Sequence, residues 1–60
     1  MIGMIPKDPA ILLSFVNTKL RDFYGSLDEM CDDMELDKKE IEDKLSLIGY
    51  KYKEERNQFV

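Results

Sequence analysis

Asp8-Pro9-Ala10-Ile11-Leu12-Leu13-Ser14-Phe15-Val16-Asn17-Thr18-Lys19-Leu20-Arg21-Asp22-Phe23-Tyr24-Gly25 is the stretch on which the fold of this chain turns. Asp8 offers a side-chain oxygen to the free amides of a helix start, and Pro9 suits the first helical position. Gly25 is well placed to end the helix, which predicts a span from Pro9 to Tyr24. At about 100° per residue, Leu12, Leu13, Val16, Leu20 and Phe23 share one face. Ile11 and Phe15 widen that face on one side, and Tyr24 on the other. Ser14, Asn17, Thr18 and Arg21 are left facing water. So wide an apolar arc predicts a central helix that every other element touches.

Downstream, Ser26 with Glu29 three residues on is a capping box, in which each side chain serves the other's free amide. Leu27, Met30, Cys31 and Met34 then follow helical spacing, which predicts a short second helix ending near Met34. Asp37 with Glu40 repeats the device. The third helix should turn Ile41, Leu45 and Ile48 inward and Lys39, Glu42, Asp43 and Ser46 outward, with Gly49 ending it. Leu47 falls off the stripe and needs another neighbour. After Gly49 the period becomes two: Tyr50 and Tyr52 point one way, Lys51 and Lys53 the other. Glu54 to Asn57 can turn, with Asn57 tolerating a left-handed backbone, and Gln58 to Val60 can return as a strand. A hairpin this small needs a face to lie on, for which Leu47 and the end of the first helix are candidates. Tyr50, directly after the helix, is expected to be covered, and Tyr52 and Phe59 to stay partly exposed. Ahead of Pro6 the first five residues are apolar and read as extended. The expected class is mainly α: a three-helix, helix-turn-helix-like domain with a short C-terminal β-hairpin.

Sixty residues make one domain, 1–60, at most. A chain this short buries only about 60% of its unfolded surface. Its stability is expected to be on the order of 3–5 kcal/mol. With one cysteine and no histidine there is no internal disulfide and no zinc site to reinforce it. Hydrophobic residues make up 43% and charged residues 37%, mixed in sign, which fits a folded and well-solvated domain rather than disorder. The longest apolar run, Ala10 to Leu13, is too short to span a bilayer. The start lacks the basic region and cleavage site of a secretory signal, so the expected compartment is the cytoplasm.

The net charge of −4 is unevenly spread. Residues 28–43 hold nine acids against Lys38 and Lys39, a net of −7, while the remaining residues hold four acids against seven bases, a net of +3. An acidic chain repels phosphate backbones, which disfavours nucleic acid as a partner. The helix order nevertheless is that of a small winged helix-turn-helix, with Cys31 as the small buried residue and Glu35-Leu36 in the turn. In that reading Lys38, Lys39, Glu42 and Asp43 would face the major groove. The face is acid-leaning where phosphate contact needs Lys and Arg, and Glu35 stands where the turn usually takes glycine.

Asp33, Glu35 and Asp37 invite a calcium-loop reading that fails at its sixth and twelfth positions, Lys38 and Lys44, where glycine and glutamate are required. Cys31 lies among Asp28, Asp32 and Asp33 with no base to ionise it, so a buried structural thiol is the better reading. The three glycines, at positions 3, 25 and 49, are too scattered for a phosphate loop. These features argue against an enzyme and against a bound cofactor. They favour a cytoplasmic protein-interaction module, an adaptor or regulator, that binds another protein or itself. Its expected partner surface is Tyr52, Phe59, Lys39, Glu42 and Asp43. The alternative is a degenerate winged helix-turn-helix with weak DNA binding.

The run Ile5-Pro6-Lys7-Asp8-Pro9-Ala10-Ile11-Leu12-Leu13-Ser14-Phe15-Val16-Asn17-Thr18-Lys19-Leu20-Arg21-Asp22 resembles the opening of a family of very small bacterial proteins. Ile48-Gly49-Tyr50-Lys51-Tyr52 and Glu55-Arg56-Asn57-Gln58-Phe59 resemble its close. The family is known as a domain of unknown function, number four-two-five-zero. The likeness covers nearly the whole chain and implies a stand-alone bacterial protein. It carries no activity, cofactor or site residue. The three residues ahead of Met4 read as an extra start, with Met4 as an alternative first residue.

Overall fold

The computed structural model describes residues 5–60. The extended start expected over residues 1–5 lies, except for Ile5, outside the described residues, as does the alternative start at Met4.

The first helix, α1, spans Pro9–Asp22. The Asp8 carboxylate accepts from the Ala10 amide at 2.8 Å, with Pro9 just inside the start, as local cap chemistry requires. Leu12, Val16 and Leu20 are buried, and Leu13, Phe15 and Tyr24 are half-buried. The helix stops two residues before the expected Tyr24, and Gly25 is not in the left-handed region. A carbonyl of its last turn and one just beyond it are capped by another element. The Asn57 side-chain Nδ2 donates to the carbonyls of Leu20 and Tyr24 at 3.0 and 2.8 Å. Because the chain leaves the helical period at Phe23, that ring is 68% exposed rather than in the apolar face. Ile11 also faces solvent.

The second helix, α2, spans Leu27–Met34. Ser26 Oγ accepts from the Glu29 amide at 3.1 Å. Glu29 reaches back to the Gly25 amide at 2.8 Å, one residue further than the capping box predicts. The helix closes in a Schellman motif. Leu36 N donates to Cys31 O at 2.8 Å, Glu35 N to Asp32 O at 3.4 Å, and Glu35 adopts φ 55°. The left-handed turn that glycine usually makes is thus made by glutamate.

The third helix, α3, spans Lys38–Ser46, with Asp37 Oδ1 accepting from the Lys39 and Glu40 amides. Ile41 and Leu45 are buried. Beyond Ser46 the chain tightens into three-residue turns, Leu47 N to Lys44 O and Ile48 N to Leu45 O. Tighter winding rotates the following side chains off the helical stripe. Ile48 is consequently exposed rather than inward, and Leu47, at 78% exposed, covers nothing. Gly49, at φ 81°, completes a second Schellman motif in which Tyr50 N donates to Leu45 O at 3.0 Å.

The hairpin pairs β1, Tyr52–Lys53, with β2, Gln58–Phe59, antiparallel, Tyr52 opposite Phe59 and Lys53 opposite Gln58. Lys51 and Val60 exchange both main-chain hydrogen bonds, at 3.1 and 3.0 Å. The next pair, Tyr52 and Phe59, therefore turns its amides and carbonyls away from the hairpin. Asn57 closes the turn at φ 51°, as expected of asparagine. Phe59, at 1% exposed, is the largest fully buried side chain, and it lies in one core cluster with α1, α2 and α3. The expected partial exposure of Phe59 is thus corrected. The return strand thus contributes the one aromatic ring among the fully buried core residues, the rest of which come from the helices.

Candidate functional site

Two of the hairpin's polar side chains, Tyr52 and Asn57, are committed to the scaffold. Tyr52 is half-buried, its ring 5.5 Å from that of Phe59 between centroids. Its hydroxyl accepts from the Leu27 amide at 3.2 Å and donates to Asn57 Oδ1 at 2.7 Å. Through Asn57 this chain of bonds joins the start of α2 to the end of α1. On the other side, Asn17 serves the outward-turned main chain of Phe59. Its Nδ2 donates to Phe59 O at 3.1 Å and its Oδ1 accepts from Phe59 N at 2.8 Å. Asn17 does not simply face water. It stands where a third strand would, and blunts the edge of β2.

Of the residues expected to form a partner surface, Glu42, Asp43, Tyr52 and Phe59 line one groove of about 360 Å³ between α3 and β1. Lys39 is exposed elsewhere on α3. The Phe59 ring is covered and Tyr52 is held by its own hydrogen bonds, so the aromatic half of that surface is spent on folding. The acids have local roles as well. Asp33 accepts from the Tyr24 hydroxyl at 2.5 Å, Asp37 caps α3, and Asp28 holds Lys38 Nζ at 2.9 Å. Cys31 is buried and its thiol pKa is pushed up, first by burial and then by Asp28. Both causes disfavour the thiolate, which is the reactive form.

Two further surfaces have no counterpart among the sequence expectations. The first is a stripe on α1 at four-residue intervals: Ile11, Phe15, Lys19, Phe23. Ile11 and Phe23 are 58% and 68% exposed, and Lys19 Nζ sits 5.5 Å from the Phe15 ring centre and 5.0 Å from that of Phe23. The i, i+4 recurrence was the available signal, but the same residues also fit the edge of the core arc. The second is a groove of about 560 Å³ between α1 and the hairpin turn, with Leu13 and Leu20 in its lining and, among the described residues, Arg21 and Arg56 as its only charged groups.

Among the described residues, no helix is long and apolar enough to cross a membrane. A family model described as a domain of unknown function, DUF4250, matches residues 6–59. The chain belongs to the DUF4250 family. The match takes in α1, both Schellman turns and the hairpin through Phe59, so the Asn17, Tyr52, Asn57 and Phe59 arrangement falls within the matched region. No curated protein and no solved structure matches the chain.

Proposed function

We propose that this DUF4250 protein is a small cytoplasmic protein-interaction module, an adaptor or regulator, that meets its partner on the outer stripe of α1. The observation that supports this reading is the aromatic–cation stripe itself. Phe15 and Phe23 flank one ammonium group, and Ile11 and Phe23 are large apolar side chains set in water on the same stripe. Removing such surface from water contributes about 25 cal/mol per Å². Aromatic anchors at an interface carry a disproportionate share of binding energy. Lys19 favours a partner whose apolar side chains are flanked by carboxylates, since a cation over a ring retains its charge for a second contact.

The test is quantitative affinity capture from the host with the parent, Ile11→Ser and Phe23→Ser, after melting has shown all three equally folded. A protein recovered by the parent and lost by both variants is the expected result. Equal recovery by all three contradicts the reading.

A second reading, weak DNA binding, draws on the order α2, left-handed turn at Glu35, α3. Against it, α3 exposes Glu42 and Asp43 beside Lys39, and Lys38 is engaged by Asp28. A mobility shift of duplex DNA at sub-micromolar protein, steeply weakened by salt, would favour it over the first.

A further inference from the structure

We propose that the groove between α1 and the hairpin turn binds a short extended acidic peptide segment of a partner protein, with Arg21 and Arg56 receiving its carboxylates. The proposal rests on the protein-interaction reading for the class of partner, and it concerns a different face of α1 from the aromatic stripe.

The chain carries 13 acids against 9 bases, yet this groove is lined by two guanidinium groups and no carboxylate. Among the described residues Arg56 forms no ion pair. Arg21 spends Nε and Nη2 on Asp22, at 2.9 and 3.1 Å, which leaves Nη1 for an incoming oxygen. Lys53 adds a third cation beside the rim. It pairs directly with Gln58, a lining residue, and residues directly opposite in a hairpin share a face.

The groove is polarised along the helix. Asn57 is bonded to a carbonyl of the last turn of α1 and to one just beyond it, so its neighbour Arg56 lies with Arg21 at the C-terminal end of that helix. Leu13 lies towards the other end. From Ala10 to Arg21 the helix rises about 16 Å, the length of roughly five extended residues. Ser14 and Thr18 on the helix wall and Gln58 on the hairpin wall can hydrogen-bond a peptide main chain, because they have no other partner among the described residues. Asn17 and Asn57 are already committed. The fitting occupant is therefore a segment with carboxylates at one end and an apolar side chain at the other. Guanidinium groups suit carboxylates because their forked donors match the two oxygens.

The experiment is fluorescence anisotropy of a labelled, end-capped pentapeptide with three glutamates followed by two leucines. The control peptide has lysines in place of the glutamates. Protein variants are Arg56→Gln, Arg21→Gln and, as a charge control remote from the groove, Lys39→Gln. The glutamate peptide should bind the parent and weaken with salt. Each arginine variant should lose roughly tenfold in affinity, as one charge-assisted contact allows, and Lys39→Gln should lose little. Arg56 and Arg21 are exposed, so both variants should melt with the parent, and either one alone suffices to test the groove. No binding of the glutamate peptide, equal binding of the lysine peptide, or equal weakening by Lys39→Gln would overturn the proposal. Concentration-dependent self-association of the parent, abolished by Arg56→Gln, would overturn it too and give the groove to the acidic segment of a second copy. None of these variants touches Ile11 or Phe23, so the groove can fail while the aromatic stripe stands.

Discussion

Asn17 on α1 holds the main chain of Phe59 with both ends of its side-chain amide, 42 residues away in sequence. One bond runs each way, so neither the amide nor the carbonyl of Phe59 is left without a partner. Asn17→Ala removes both bonds and strands two partly buried groups. The expected cost is about 1–3 kcal/mol by urea unfolding. Ser14→Ala, one turn away and exposed, should stay within about 0.5 kcal/mol of the parent. Equal curves for the two variants would remove Asn17 from the account.

Tyr52→Phe keeps the ring on Phe59 and deletes the hydroxyl that joins Leu27 to Asn57. A loss of about 1–2 kcal/mol is expected, since an amide at the start of α2 loses its acceptor. Asn57→Ala should cost more, because it also uncaps α1 and forces alanine to a positive φ. In a double-mutant cycle the two should couple by about 0.5–3 kcal/mol, as members of one network do. Strictly additive losses would show that the two residues act separately.

Burial ranks the C-terminal aromatics, and the ranking departs from what position in the sequence suggests. Phe59→Ala empties a fully buried site and should cost about 3–5 kcal/mol, close to the whole stability of a domain this size. Tyr50 is half-buried, and Tyr50→Ala should be the milder change. Thermal melts run side by side decide the order. A Phe59→Ala protein that melts like the parent would place that ring outside the core.

What could be read from sequence was what depends on near neighbours. Asp8-Pro9, Ser26 and Asp37 announce helix starts because a cap is formed within three residues. Asn57 announces its left-handed turn for the same reason. Asn17 gives no such sign, because its partner comes from a strand that only the folded chain brings to α1. Phe23 and Ile48 are misplaced when the helical period is extended past the point where each helix ends. Phe59 is misjudged because its burial depends on residues of all three helices, which only the folded chain brings around it. Glu42 and Asp43 face outward on α3, as the helical period predicts, and share a groove with Tyr52. The arginine groove depends on the turn folding back over α1, which no local pattern encodes.

Cys31 and Tyr24 both hold their protons more firmly in the folded protein. Burial, then Asp28, raises the thiol, and the hydrogen bond to Asp33 raises the phenol. In the unfolded chain these groups deprotonate at about 8.5 and 10. Above those values, and below the raised folded ones, the unfolded state binds fewer protons than the native state, so stability falls as pH rises. The expected profile is flat from neutral pH to about 8 and declines beyond, with Cys31→Ala flattening the first part of the decline. Stability that rises between about pH 9 and 10 would contradict this assignment.

The burial of Phe59 makes the C-terminal hairpin part of the cooperative core and not a docking tail. Native-state hydrogen exchange at the Phe59 amide tests it most directly, since that N–H is bonded to the Asn17 side chain and to no other strand. If the hairpin belongs to the core, the Phe59 amide opens only with the whole molecule. Its exchange free energy should then match those of the Val16 and Leu20 amides in α1 and equal the global unfolding value. A Phe59 amide that exchanges at the rate of an unstructured chain while Val16 and Leu20 remain protected would contradict the account.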